Sequence, residues 1–191
     1  MRPMPATPIR AMAISSEACR LRLARIAAPP EPAGRAAAGE TREGEWTMTK
    51  LVGMIGLGIM GGAMSANLVA AGWRVLGYDP DAARQAEARE AGVEVRDSLL
   101  AVAAEAPVLV TSLPGPAALR ATALALAQAG LLKRVVVETS TLALPDKDEA
   151  ARILAQAGHV ALDCPLSGTG AQARVKDLIV YASGDAAEIA A

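Results

Sequence analysis

The residues Leu51-Val52-Gly53-Met54-Ile55, apolar and β-favouring, run without a linker into Gly56-Leu57-Gly58-Ile59-Met60-Gly61, and a second apolar run, Trp73 to Tyr78, stops at Asp79. No other feature constrains the fold as much. Met60, Met64 and Leu68 recur on one face of a helix, and Gly72 stands where a helix ends on a left-handed residue, so the segment reads strand, turn, helix, strand. Each glycine has its own task in such a turn. Gly56 permits the tight bend, Gly58 lets backbone approach a pyrophosphate, and Gly61 lets the helix pack closely on the sheet. The helix start offers free N–H groups and the positive end of its dipole to phosphates. Asp79 lies where a carboxylate can accept hydrogen bonds from adenosine ribose hydroxyls. Glycine turns recur by chance in a chain rich in Ala and Gly, but this context makes the turn a dinucleotide site.

Strand and helix patterns alternate from Lys50 onward. A helix is expected over Ala82 to Ala91, a short strand at Val93 to Val95, and a helix from Ser98 to Glu105 with Asp97 as its N-cap. Pro107 to Ser112 reads as a buried strand, and Leu113-Pro114-Gly115-Pro116 leads into an Ala- and Leu-rich helix ending near Gly130. Arg134 to Glu138 is the next strand. A helix from Pro145 to Ala157 follows, with Pro145 at its first position. Strands at His159 to Asp163 and Leu178 to Ala182 complete the pattern. Near-continuous apolar strands between helices imply a mostly parallel sheet covered on both faces, a doubly wound α/β fold of Rossmann type. Ligands in such folds bind beyond the carboxyl ends of the strands. The loops Gly56–Gly61, Asp79–Asp81, Ser112–Pro116, Thr139–Thr141 and Cys164–Gly170 should therefore share one crevice.

Residues 1–47 differ from all that follows. Pro, Ala and Arg dominate, apolar spacing is irregular, and Pro29-Pro30-Glu31-Pro32 would break a helix, so the segment reads as disordered. It lacks the continuous apolar core of a secretory signal, and the simpler reading is an extension preceding a natural start at Met48, with one dinucleotide-binding domain over 48–191. A formal net charge of −1 gives no electrostatic reason for nucleic acid or an anionic membrane as partner. Two Trp, two Tyr and no Phe leave no aromatic platform for stacking bases. No stretch reaches the roughly twenty apolar residues of a membrane span. Cys19 and Cys164 fall in no metal-ligand spacing, and a reduced, cytoplasmic setting suits them better than a mutual disulfide.

A second motif is Asp163-Cys164-Pro165-Leu166-Ser167-Gly168-Thr169-Gly170. Taken alone it is a turn whose hydroxyls and N–H groups could hold a carboxylate. Together with two other elements it resembles the β-hydroxyacid dehydrogenases, the family of 3-hydroxyisobutyrate and 6-phosphogluconate dehydrogenases. Gly56 to Gly61, continued through Met64 and Asn67-Leu68, resembles the family's G-L-G-x-M-G-x-x-M-x-x-N-L opening. Glu138-Thr139-Ser140-Thr141 with Pro145 resembles D-x-S-T-x-x-P, and Asp163 to Gly168 resembles D-A-P-V-S-G-G. The resemblance covers Lys50 to the C-terminus.

The resemblance implies hydride exchange between a nicotinamide cofactor and the hydroxyl-bearing carbon of a small hydroxy acid. Backbone of Gly56, Leu57, Gly58, Ile59, Met60 and Gly61 would bind the cofactor with Asp79, while Leu113, Pro114 and Thr141 approach its nicotinamide-ribose half. Ser167, Gly168 and Thr169 would hold the substrate carboxylate. Thr169 replaces the signature's second glycine, and Lys176 stands where another glycine usually falls, reading as solvated surface. Asp79 would repel the 2′-phosphate of NADP, which favours NAD, though Arg84 could reach such a phosphate and the family uses both.

The family's catalytic lysine lies on a helix beyond this domain, and Lys50, Lys133, Lys147 and Lys176 match no part of its motif. No catalytic base is assigned, and His159 reads as an ordinary structural or surface residue. The expectation is a dinucleotide-binding domain without its helical substrate-binding and dimerisation domain, inactive as it stands. A stand-alone dinucleotide module and an imine-reductase relative are the alternatives.

Overall fold

The computed structural model describes residues 50–190. The expectations for residues 1–47, Met48 and Cys19 lie outside them.

The apolar runs pair into one parallel sheet. Its strands are β1 (Leu51–Ile55), β2 (Arg74–Tyr78), β3 (Glu94–Val95), β4 (Val108–Thr111), β5 (Val135–Glu138) and β6 (Val160–Asp163), in the spatial order β3-β2-β1-β4-β5-β6. Helices α1 (Ile59–Ala70), α2 (Ala82–Glu90), α3 (Leu99–Glu105), α4 (Pro116–Gln128) and α5 (Leu144–Gln156) make the crossovers. The chain walks outward from β1 to β3, returns to the other side of β1, and walks outward again. The reversal leaves a crevice between the carboxyl ends of β1 and β4, the topological switch point of doubly wound sheets.

Alternation along β1 shows why both faces need cover. Ile55 packs with Leu76, Leu109, Val136 and residues of α3, α4 and α5 on one face, while Val52 and Met54 pack with Val75, Ala88 and Val93 on the other, where Met64 and Leu68 of α1 close over them. Both clusters are buried, so the strands read as continuous apolar runs.

Three expectations need correction. The N-cap of α3 is Ser98, whose Oγ accepts the Ala101 N–H at 3.1 Å. Two adjacent cap-competent residues differ only in which one takes extended backbone, and that residue is Ser98 (φ −152°, ψ 159°). Helix α5 starts at Leu144, which puts Pro145 at its second position. The strand expected at Leu178 to Ala182 does not join the parallel sheet. Its paired part, β8 (Ile179–Val180), forms an antiparallel hairpin with β7 (Leu166–Ser167). Two helices had no counterpart in the sequence reading: α6 (Gly170–Arg174), in the loop between β7 and β8, and α7 (Ala186–Ala190), which ends the described chain.

His159 is buried and structural. Its Nδ1 accepts the Arg134 N–H at 3.1 Å, and Nε2 faces the Leu126 carbonyl at 3.3 Å, at the end of the sheet remote from the crevice. Arg134 is buried beside it. Its guanidinium donates to the Ala103, Ala104, Leu132 and Lys133 carbonyls, among them acceptors in the last turn of α3.

Candidate functional site

The turn after β1 shows the division of labour among its glycines. Gly56 has φ +93°, and a Cβ there would lie 2.1 Å from the Ser112 carbonyl oxygen, so the turn presses against the loop after β4. A Cβ on Gly61 would lie 1.9 Å from the Gly56 carbonyl oxygen. Gly58 is different: a Cβ there would meet no protein atom within 4 Å, so its bareness serves nothing inside the fold. It is the N-cap of α1, and no side chain caps that helix. An uncapped helix start beside a bare glycine suits a pyrophosphate.

Asp79 follows β2 and faces this turn. Its Oδ2 accepts the Leu57 N–H at 2.7 Å and its Oδ1 the Asp81 N–H at 2.9 Å. Asp81 in turn caps α2 by accepting the Ala83 N–H at 2.8 Å. The carboxylate expected to take ribose hydroxyls therefore also anchors the glycine turn.

The neighbouring loops are bonded to one another. Leu113 N–H donates to Ser140 Oγ at 2.8 Å, and Ser140 N–H donates to Glu138 Oε1 at 2.8 Å. Thr139 Oγ1 donates to the Thr111 carbonyl at 2.7 Å. Thr141 and Pro114 are exposed at the rim. Lys147 of α5 is buried against Glu138 and Asp163, a contact that sequence reading missed because Asp146-Lys147-Asp148-Glu149 looks like a solvated helix face.

The hairpin loop reaches the same region. Asn67 Nδ2 donates to the Ala173 carbonyl at 2.7 Å, tying α1 to α6. A Cβ on Gly170 would lie 2.4 Å from Ile59 Cγ2, so the loop leading into α6 abuts the first residue of α1. Ser167 and Gly168 are exposed there, and Gly168 has φ +144°. Thr169 is committed to structure. Its Oγ1 accepts the Gln172 N–H at 3.3 Å while Gln172 Oε1 accepts the Thr169 N–H at 2.9 Å, a capping box that starts α6.

Thus the first and last motifs, far apart in sequence, meet at the start of α1. The family described as the NAD binding domain of 6-phosphogluconate dehydrogenase matches residues 51–191. This chain belongs to that family. Within this NAD-binding family, the chain is 34% identical over 134 residues to a probable 3-hydroxyisobutyrate dehydrogenase of Mycobacterium tuberculosis, covering 70% of this chain and 46% of that protein. The solved M. tuberculosis 3-hydroxyisobutyrate dehydrogenase with L-serine superposes with a TM-score of 0.72 at 32% identity, covering 75% of this chain and 49% of that one. Psf3 in complex with NADP+ and 2-OPP gives a TM-score of 0.66 at 25% identity, covering 73% and 50%. The chain spans about half the length of the curated relatives it matches. No helix among the described residues is long and apolar enough to cross a membrane.

Proposed function

We propose that this chain is the NAD(H)-binding part of an oxidoreductase that moves a hydride between nicotinamide and the hydroxyl-bearing carbon of a small 3-hydroxy acid. The observation that carries the reading is the contact of Gly170 with Ile59, which sets the Ser167–Thr169 loop beside the uncapped start of α1. Backbone of Gly56 to Gly61 holds the pyrophosphate and Asp79 the adenosine ribose, while Leu113, Pro114 and Thr141 border the nicotinamide side. Ser167 and Gly168 offer a hydroxyl and backbone N–H groups to the acid's carboxylate, with Thr169 shaping the loop through its capping box. Bound nicotinamide supplies the hydride chemistry; the residues here bind and orient.

Asp79 favours NAD over NADP by charge. Lys50, Lys133, Lys147 and Lys176 do not supply the lysine that the family resemblance calls for, so a polypeptide of these 191 residues binds the cofactor without turning over. The cofactor-binding domain spans residues 48–191, and the cytoplasm is the setting. Titration with NADH and NADPH, paired with a hydroxy-acid turnover assay, tests this reading. Saturable binding, tighter for NADH, without turnover is expected; tighter NADPH binding or turnover at ordinary enzymatic rates would overturn the corresponding part.

A further inference from the structure

Lys147 is only 8% exposed although it sits in a highly charged stretch of α5. Its Nζ lies 2.9 Å from Glu138 Oε2 and donates to Asp163 Oδ1. Burial pushes the Lys147 ammonium down, but the Asp163 and Glu138 carboxylates beside it outweigh that and hold it above its ordinary value. A buried cation with two carboxylates is no efficient way to fill a core, since an apolar side chain of similar volume avoids the desolvation. What the cluster does here is fix positions.

Glu138 ends β5 and Asp163 ends β6, so one ammonium bridges the carboxyl ends of two strands. The second oxygen of Glu138 accepts the Ser140 N–H, and Ser140 Oγ accepts the Leu113 N–H, which carries the constraint to the loop after β4. Asp163 exchanges backbone hydrogen bonds with Ser183, at 2.9 and 2.8 Å, which carries it to the base of the β7–β8 hairpin.

We infer that Lys147 is a positioning residue for the nicotinamide side of the crevice: it holds the Glu138 carboxylate so that Ser140 and Leu113 keep the loops after β5 and β4 in binding geometry. The inference rests on the function proposed above. It separates two halves of one ligand. ADP reaches only the glycine turn and Asp79, whereas NADH also needs the loops that Lys147 sets.

The test is titration of the chain with NADH and with ADP, for the unmodified protein, Lys147→Met and Lys147→Met/Glu138→Gln. The single variant is expected to lose about ten-fold in NADH affinity while its ADP affinity changes by less than about two-fold. In the double variant the neutral amide that replaces the Glu138 carboxylate keeps an acceptor for Ser140 without a stranded charge, and NADH affinity returns to within about three-fold of the unmodified chain. Equal losses for ADP and NADH, or no loss for NADH, would overturn the inference and leave the proposed function standing. An unmodified chain that binds neither nucleotide would overturn both. Should Lys147→Met fail to fold, Lys147→Gln takes its place: a loss of about ten-fold for NADH with ADP affinity held supports the inference, and equal losses or none overturn it.

Discussion

Asp79 Oδ2 accepts the Leu57 N–H at 2.7 Å, so the carboxylate proposed to hold the ribose is also a strut of the glycine turn. Asp79→Ala removes both functions and should weaken NADH by roughly 10- to 100-fold, the range for loss of a hydrogen bond to a charged group. Asp79→Asn keeps an acceptor for Leu57 but removes the charge, and should raise NADPH affinity relative to NADH by about ten-fold. Fluorescence titration with both nucleotides checks each variant. An unchanged NADPH to NADH ratio in Asp79→Asn would show that the charge does not select the cofactor.

Lys176 has φ 62°, the left-handed region, in an exposed turn closing α6. A non-glycine residue costs about 1–2 kcal/mol there, while glycine adds unfolded-chain freedom of roughly 0.4–1 kcal/mol. Lys176→Gly should therefore stabilise the chain by about 0.5–1 kcal/mol, read as a higher urea midpoint at unchanged slope. A lower midpoint would mean that the Lys176 side chain makes a contact worth more than the backbone strain.

Glu94, on the edge strand β3, joins Arg74 and Arg96, with Glu105 completing the network. Its carboxyl is lowered to about 2 by the Arg74 guanidinium first and by Arg96 after it. Because the folded value lies below the ordinary 4.5, the contribution is present above pH 4.5 and lost as pH falls toward 2. Unfolding midpoints should drop over that window, and less steeply in Arg74→Ala. The side chains are about half exposed (48% and 42%), so the difference should shrink in high salt. Parallel pH curves for the two proteins would show that this network plays no part in acid stability.

Cys164 is buried, and burial first, with the Asp163 carboxylate after it, pushes its thiol up to about 11. Peptide mapping after alkylation at pH 8 should find it unmodified in the folded chain and labelled once urea is added. Rapid native labelling would indicate that the loop after β6 opens readily.

The strands of the parallel sheet and the glycine turn were legible because each rests on local signals: two-sided apolar runs, and three closely spaced glycines between a strand and a helix. The β7–β8 hairpin was not. Leu178 to Ala182 has the apolar character of a parallel core strand, and only the reversal after Pro165 and the capping box of Thr169 decide that its middle pairs with Leu166-Ser167 instead. Asn67 was read as part of a motif, while its partner, a backbone carbonyl at Ala173, has no sequence signature. Lys147 escaped for a similar reason: its neighbours along the helix are acidic and solvated, and its burial depends on where Glu138 and Asp163 end their strands.

On this reading the bare backbone at Gly58 exists for a dinucleotide and not for the fold. Gly58 and Gly61 provide the contrast, since a Cβ meets nothing at the first and the Gly56 carbonyl at 1.9 Å at the second. Gly61→Ala should unfold the chain or destabilise it by several kcal/mol, on the order of other core overpacking changes. The decisive measurement is calorimetric titration of NADH into the unmodified chain and Gly58→Ala, with melting temperatures recorded on the same samples. One saturable site is expected in the unmodified chain, and in Gly58→Ala a loss of about ten-fold or more in affinity with stability within about 1 kcal/mol. NADH binding to Gly58→Ala at undiminished affinity, or none to the unmodified chain, would refute the assignment.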